Sequence, residues 1–193
     1  MEPFFALLLG YALGSIPFGL LLTKAAGLGD VRDIGSGSIG ATNVLRTGNK
    51  GLAATTVLLD AAKGVVPVLI AAALWTGTEG LAAIGAVAGH CFTPWLKFKG
   101  GKGFATAAGV LGALAWPAML ICAGIWAATL FVSRISSVSS ITTVIAAPLI
   151  VWLLELPQLI MPLVAIAAIV LVQHRANIGR LLRSEEPKVG SKE

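Results

Sequence analysis

The chain has 193 residues, 56% of them hydrophobic and only 12% charged, with a net charge of +5. An average soluble domain carries about 25% charged residues, so a soluble fold is excluded. The sequence reads as one membrane domain over residues 1–193, built of apolar runs of about 20 residues, the length that crosses a bilayer as a helix.

The first run, residues 4–23, follows Met1-Glu2-Pro3 and lacks the basic flank of a secretory signal, so it is expected to be retained as a span. Residues 51–75 are apolar except for Asp60 and Lys63, and further runs cover 80–96, 103–133, 135–154 and 156–173. As one helix, residues 103–133 would extend about 46 Å, well beyond the roughly 30 Å of hydrocarbon. Trp116-Pro117 lies near the middle.

Charge decides whether the chain turns there, because cytosolic loops carry the excess of Lys and Arg. With a break at Pro117, one side collects Lys24, Arg32, Arg46 and Lys50, then Lys97, Lys99 and Lys102, then Arg134, then Arg175, Arg180, Arg183, Lys188 and Lys192. The other side keeps only Glu2, Glu79 and Glu155, and Lys63 is the one basic residue left over. The expected fold is therefore an all-α integral membrane protein of seven transmembrane helices, N-terminus outside and C-terminus cytosolic, in the cytoplasmic membrane. The basic residues are accounted for by this orientation, and no nucleic-acid partner is expected.

This topology brings three helix N-termini to the cytosolic face, near Gly51, Gly103 and Ser136, each favouring anions through unpaired N–H groups and the helix dipole. Three polar segments meet them, within 24–50, 97–103 and 174–193. The first holds Gly35-Ser36-Gly37-Ser38-Ile39-Gly40-Ala41-Thr42-Asn43-Val44-Leu45-Arg46. Its GxGxxG pattern is not a dinucleotide fingerprint, since no strand precedes it and Asp60, at the spacing of the ribose-binding acid, falls inside a membrane helix. Hydroxyls, an amide, an arginine and glycines that admit close backbone approach instead suit a phosphate.

The second segment, Lys97-Phe98-Lys99-Gly100-Gly101-Lys102-Gly103, lacks the first glycine and the final Ser or Thr of a nucleotide-hydrolysing loop, but offers a lysine and glycine N–H groups at a helix start. The third, from His174 to Arg183, places His174, Asn177 and Leu181 on one helix face. Arg183, Lys188 and Lys192 read as a tail for anionic lipid head groups. Asp60 and Lys63 lie three apart on one helix face, and with the intramembrane His90 they are expected to form a structural or proton network. In the run 136–140, serines are expected to cap the next helix, and Ser139 is a candidate ligand contact. Cys91 and Cys122 have no metal or redox spacing and read as packing residues.

Taken together, the three segments resemble the bacterial acyl-phosphate:glycerol-3-phosphate acyltransferases. The resemblance rests on Gly35-Ser36-Gly37 with Ala41-Thr42-Asn43 and Arg46, on Gly89-His90 followed by residues 98–103 and Ala105-Thr106, and on His174 with Asn177-Ile178, Arg180-Leu181 and Glu186. Ser38, Phe104 and Ser184 stand where the family has Asn, Val and Gly. It implies transfer of a fatty acyl group from acyl phosphate to the 1-hydroxyl of glycerol 3-phosphate, giving 1-acylglycerol 3-phosphate (lysophosphatidic acid) and phosphate, without metal or cofactor. A soluble enzyme that forms acyl phosphate is an implied partner, alongside membrane lipid.

On that reading Lys102, the N–H groups of Gly101 and Gly103, and Ser36 with Gly37 bind the phosphate of glycerol 3-phosphate, while Arg46 and Arg180 serve either phosphate. Thr42 and Asn43 orient a substrate. His174 is the candidate base, with Asn177 placed to orient it or to bind substrate; a substrate phosphate oxygen is the alternative, and the deeper His90 a second protein candidate. The competing class is a transporter or channel using Asp60 and Lys63, which the lack of an inverted repeat disfavours. A phosphoryl or polyprenyl transferase would need clustered aspartates, which Asp30, Asp33, Glu185 and Glu186 do not form.

Overall fold

In the computed structural model, which describes residues 1–190, every regular element is a helix or a short 3₁₀ turn. Lys192 of the basic tail lies outside the described residues. In chain order the helices are α1 (Glu2–Gly14), α2 (Phe18–Ala25), α3 (Ala41–Val44), α4 (Lys50–Leu74), α5 (Glu79–Cys91), α6 (Phe104–Leu114), α7 (Trp116–Ser133), α8 (Ser136–Leu153), α9 (Ile160–Gln173) and α10 (Arg175–Leu182).

The break expected at Pro117 falls at Ala115, which is extended at φ −157° and ψ 82°. Proline belongs in the first turn of a helix, where its missing N–H costs nothing, so the chain breaks just before Trp116-Pro117 rather than at the proline. The first apolar run is not a single helix. Pro17 ends it locally, and α1 and α2 are separated by residues 15–17. A third break comes at His174, where the chain bends by 61° into α10.

Among the described residues, four helical segments are by length and composition long enough to cross a membrane: Glu2–Ala25, Lys50–Leu74, Trp116–Ser133 and Ser136–Leu153. The bent pair from Pro157 to Leu182 makes a fifth if taken as one span. The runs at 80–96 and 103–115 yield shorter helices than the seven-span expectation assumes. α5 stops at Cys91 and α6 has 11 residues, about 16 Å of helix.

Small residues let these helices touch backbone to backbone. A Cβ on Gly10 or Gly14 of α1 would strike the backbone of Ala82 or Ala86 on α5, and one on Gly85 or Gly89 would strike Leu7 or Tyr11 on α1. The same relation joins α4 to α6, with Gly64 against Thr106 and Gly109 against Ala61. Lipid tails give apolar side chains no reason to seek each other, so close packing of this kind carries the association. Around it a core of Val87, Val110, Val151, Ile166 and Val170 joins α5, α6, α8 and α9.

Gly89→Ala should lower the thermal unfolding temperature in detergent, by the ~1–3 kcal/mol that overpacking costs. Gly124→Ala, which faces open space in mid-helix α7, should leave it unchanged or raise it.

Candidate active site

Each of the three polar segments is held in shape by a different buried anchor. In the first, the anchor is Asn43 on α3, buried beneath its loop. Its Nδ2 donates to the carbonyls of Val31 (2.6 Å), Ser38 (2.8 Å) and Ile34 (3.1 Å), and its Oδ1 accepts the Ser36 N–H at 3.1 Å. The amide expected to orient substrate instead braces its own loop, its two hydrogens shared among these three carbonyls. Gly35 and Gly37 take left-handed φ of 52° and 67°, and the Arg46 guanidinium lies where a side chain on Gly35 would go. At the loop's outer end the Arg32 guanidinium pairs with Asp30 at 2.6 Å and holds its carboxyl well below the usual carboxylate range.

In the second segment the anchor is the frayed end of α5. Gly100 N–H donates to the Cys91 carbonyl at 3.0 Å and Gly101 N–H to the His90 carbonyl at 3.1 Å. The Gly101 N–H expected at a phosphate is thus engaged with the His90 carbonyl here. Gly103, at φ 84°, turns the chain into α6, whose first-turn N–H groups have no intrahelical partners and remain available. Lys102 is half-buried at this point. Burial pushes its ammonium down from the ordinary lysine range, and Arg180 and Arg46 push the same way, while Glu186 opposes them.

In the third segment the anchor is Glu186. It accepts from Ser137 Oγ at 2.7 Å, from Arg180 Nε at 2.7 Å, and from Asn177 Nδ2. Burial works against its charged form, but these hydrogen bonds outweigh it and hold the carboxyl below its usual range. Ser184, in the family's glycine position, takes φ 58° and makes the turn that returns Glu186 to the helix. His174 is buried at the bend, its Nδ1 2.8 Å from the Val170 carbonyl. A carbonyl can only accept, so Nδ1 carries the hydrogen in the neutral ring and Nε2 is left as an acceptor.

These segments enclose a cleft of about 260 Å³. Of the expected residues, Ser36, Gly37, Gly101, Lys102, Asn177 and Arg180 line it, from all three segments. Gly103, Thr42, Asn43, Arg46, His174 and Ser139 do not: Thr42 and Arg46 are exposed, and Asn43, Gly103, His174 and Ser139 are buried. Ser139 donates to its own helix at Ile135 O, and the serine that reaches the site is Ser137. Nor does any serine of that run cap α8, which starts from Ile135 without a side-chain cap. Ser38, Phe98 and Lys99, which lie within the first two segments but carry no expected role, also line the cleft, as does Phe92, which lies outside all three.

Beneath the second loop, Asp60 Oδ1 lies 2.8 Å from Lys63 Nζ and 3.6 Å from His90 Nδ1, so the three intramembrane groups do form one cluster. Lys63 also donates to the Ile16 carbonyl at 2.7 Å.

A family model described as glycerol-3-phosphate acyltransferase matches residues 4–184. The chain belongs to the glycerol-3-phosphate acyltransferase family. The glycerol-3-phosphate acyltransferase of Erythrobacter litoralis (strain HTCC2594) is 58% identical over 192 residues, which span 100% of this chain and 98% of the relative. That of Mesorhizobium japonicum is 57% identical, over 97% of this chain and 96% of the relative. The crystal structure of PlsY (YgiH), an integral membrane glycerol 3-phosphate acyltransferase, in its glycerol 3-phosphate form matches with a TM-score of 0.92 at 34% identity, covering 98% of this chain and 96% of that one. Its lysophosphatidic acid form matches at 0.91. The resemblance carried by the three motifs is borne out, and the chain is an integral membrane acyltransferase of apolar helices.

Because the Glu186 carboxyl is held down in the folded protein, its contribution is present at neutral pH and fades as pH falls through and below the usual carboxylate range. Glu186→Gln should therefore unfold at a lower temperature than the native protein near pH 7. The gap should close on acidification, which thermal scans across pH will check.

Proposed function

We propose that this chain transfers a fatty acyl group from acyl phosphate to the 1-hydroxyl of glycerol 3-phosphate, releasing 1-acylglycerol 3-phosphate and inorganic phosphate as the first acylation of phospholipid synthesis. The observation that carries the reading is the cleft itself, where Lys102 and Arg180 face two serine hydroxyls across a volume fit for a small polyol phosphate. The named relatives, and PlsY in its glycerol 3-phosphate and lysophosphatidic acid forms, support it.

In this scheme Lys102, Arg180 and the first-turn N–H groups of α6 hold the phosphate of glycerol 3-phosphate, with Ser36 and Ser38 beside it. The buried Asn177 Oδ1, which has no hydrogen-bond partner, accepts from a glycerol hydroxyl. Phe92 and Phe98 give the acyl end of the donor an apolar wall. Arg46, whose guanidinium packs beside Gly35 just outside the cleft lining, adds positive charge on the side of the donor phosphate. The glycerol oxygen attacks the acyl carbon, the carbon to phosphate-oxygen bond breaks, and the hydroxyl proton leaves with the phosphate or passes to a base.

Burial of His174 out of the cleft favours the phosphate as proton acceptor, with His174 orienting the site from below. The donor is already activated, so orientation and charge neutralisation supply most of the acceleration. We place the cleft on the cytosolic side of the cytoplasmic membrane, with α5 and α6 completing seven crossings, the N-terminus outside and the C-terminus inside. The basic rim there suits docking of the soluble enzyme that forms acyl phosphate. The transporter reading gives way to the family assignment and to Lys63 being held by Asp60 and Ile16.

Purified protein given palmitoyl phosphate and labelled glycerol 3-phosphate should form 1-acylglycerol 3-phosphate without added metal; absence of product from protein that still binds glycerol 3-phosphate would refute the reading. With both substrates saturating, His174→Gln should keep turnover within about tenfold if a phosphate takes the proton, whereas general-base loss costs on the order of 100-fold or more.

A further inference from the structure

The intramembrane cluster stands directly under the glycine and lysine loop. Asp60, Lys63 and His90 are all buried. The ring of His90 occupies the space beside Gly101, so that a Cβ on Gly101 would fall on Nε2, and one on Gly100 would fall on the His90 carbonyl. That carbonyl accepts the Gly101 N–H, and the next one, of Cys91, accepts the Gly100 N–H. His90 therefore meets the loop twice, once with its backbone and once with its ring.

On its far side the ring faces a buried ion pair. Its Nδ1 lies 3.6 Å from Asp60 Oδ1, close but beyond hydrogen-bond reach, and Asp60 is paired with Lys63 at 2.8 Å. Lys63 Nζ reaches across to the Ile16 carbonyl at 2.7 Å and lies 5.7 Å from the centre of the Phe18 ring, at the break between α1 and α2. A continuous line of contacts thus runs from the broken first helix, through Lys63, Asp60 and His90, to Gly101 and the neighbouring Lys102.

We propose that His90 is a positioning residue for the substrate-phosphate loop, its ring serving as the floor on which Gly101 rests and its orientation set by Asp60 and Lys63. The ring touches no substrate; it fixes the height at which Lys102 enters the cleft. The proposal rests on the reading of the cleft as the glycerol 3-phosphate site. Lys102 holds a phosphate that does not react, so the ring should govern affinity for glycerol 3-phosphate more than the chemical step.

The test is a double-mutant cycle read by equilibrium binding of labelled glycerol 3-phosphate and by steady-state KM and kcat. Gly101→Ala should weaken binding on the order of 10- to 100-fold, because the new methyl group and the ring claim one space. His90→Ala should weaken it about tenfold, and the H90A/G101A pair should bind better than Gly101→Ala alone, since removing the ring makes room for the methyl. Additive losses in the pair would overturn the proposal. Should the pair fail to fold, His90→Asn decides. Its amide nitrogen stands where Nδ1 does and keeps the Asp60 contact, while the floor under Gly101 is lost. A folded H90N enzyme should show KM for glycerol 3-phosphate raised about tenfold at similar kcat, and native KM would equally overturn the proposal. Failure of the acyl-transfer reading would instead appear as an unproductive native enzyme.

Discussion

A carbonyl group released by a break in a membrane helix has no water to turn to, and the fold depends on how the carbonyls at residues 15–16 are satisfied. Lys63 Nζ joins the Phe18 N–H on the Ile16 carbonyl, and Thr93 Oγ1 takes that of Ser15 at 2.7 Å, while Trp95 Nε1 donates to the Ser15 hydroxyl at 3.0 Å. One turn earlier Tyr11 donates to the Phe92 carbonyl at 2.6 Å. The side chains that reach the break come from α4 and from the segment just after α5, so satisfying it also draws these elements onto the first span. A buried ammonium is expensive, and the Asp60 carboxylate offsets much of that cost. Loss of either charge leaves the other stranded.

Above this knot the functional surface is assembled by anchors that are themselves spent. Asn43, the His90 backbone and Glu186 each give their hydrogen-bonding capacity to loops, and the groups left over point into the cleft. Those groups are mostly cationic or donors. Lys102 feels both Arg46 and Arg180, and among the groups acting on it Glu186 alone is acidic. Cations gathered so closely disfavour one another until an anion joins them. On the proposed reading a substrate phosphate supplies that anion, and an acyl-phosphate donor beside it would demand further neutralisation from the same basic face.

Much of this was legible in the residues because the signals are one-dimensional. Charge sorting between loops predicted the break near Pro117, and the offset to Ala115 reflects only where a proline fits in a helix start. The i,i+3 spacing of Asp60 and Lys63 predicted their pairing, which the structure shows at 2.8 Å. The break at residues 15–17 was harder to read, since the run stays apolar through it and Pro17 was the sole signal. Roles that depend on which partner a group meets in space were not readable. Gly101 has the composition of a phosphate-binding residue, yet its N–H is taken by His90. Ser139 and Ser137 are equivalent in sequence, and only the return of Glu186 after the Ser184 turn singles out Ser137.

The central claim is that one cleft, roofed by the first loop and floored by the second, holds the phosphate of glycerol 3-phosphate on Lys102. Solid-state NMR dipolar recoupling between ¹⁵N-labelled lysine and the ³¹P of bound glycerol 3-phosphate, in lipid bilayers, reads that contact directly. The account predicts one lysine Nζ at about 4 Å from phosphorus, the separation of a charge-assisted hydrogen bond, and loss of that signal in Lys102→Met. A bound phosphate with no lysine in range, or with the signal unchanged in the variant, would contradict it.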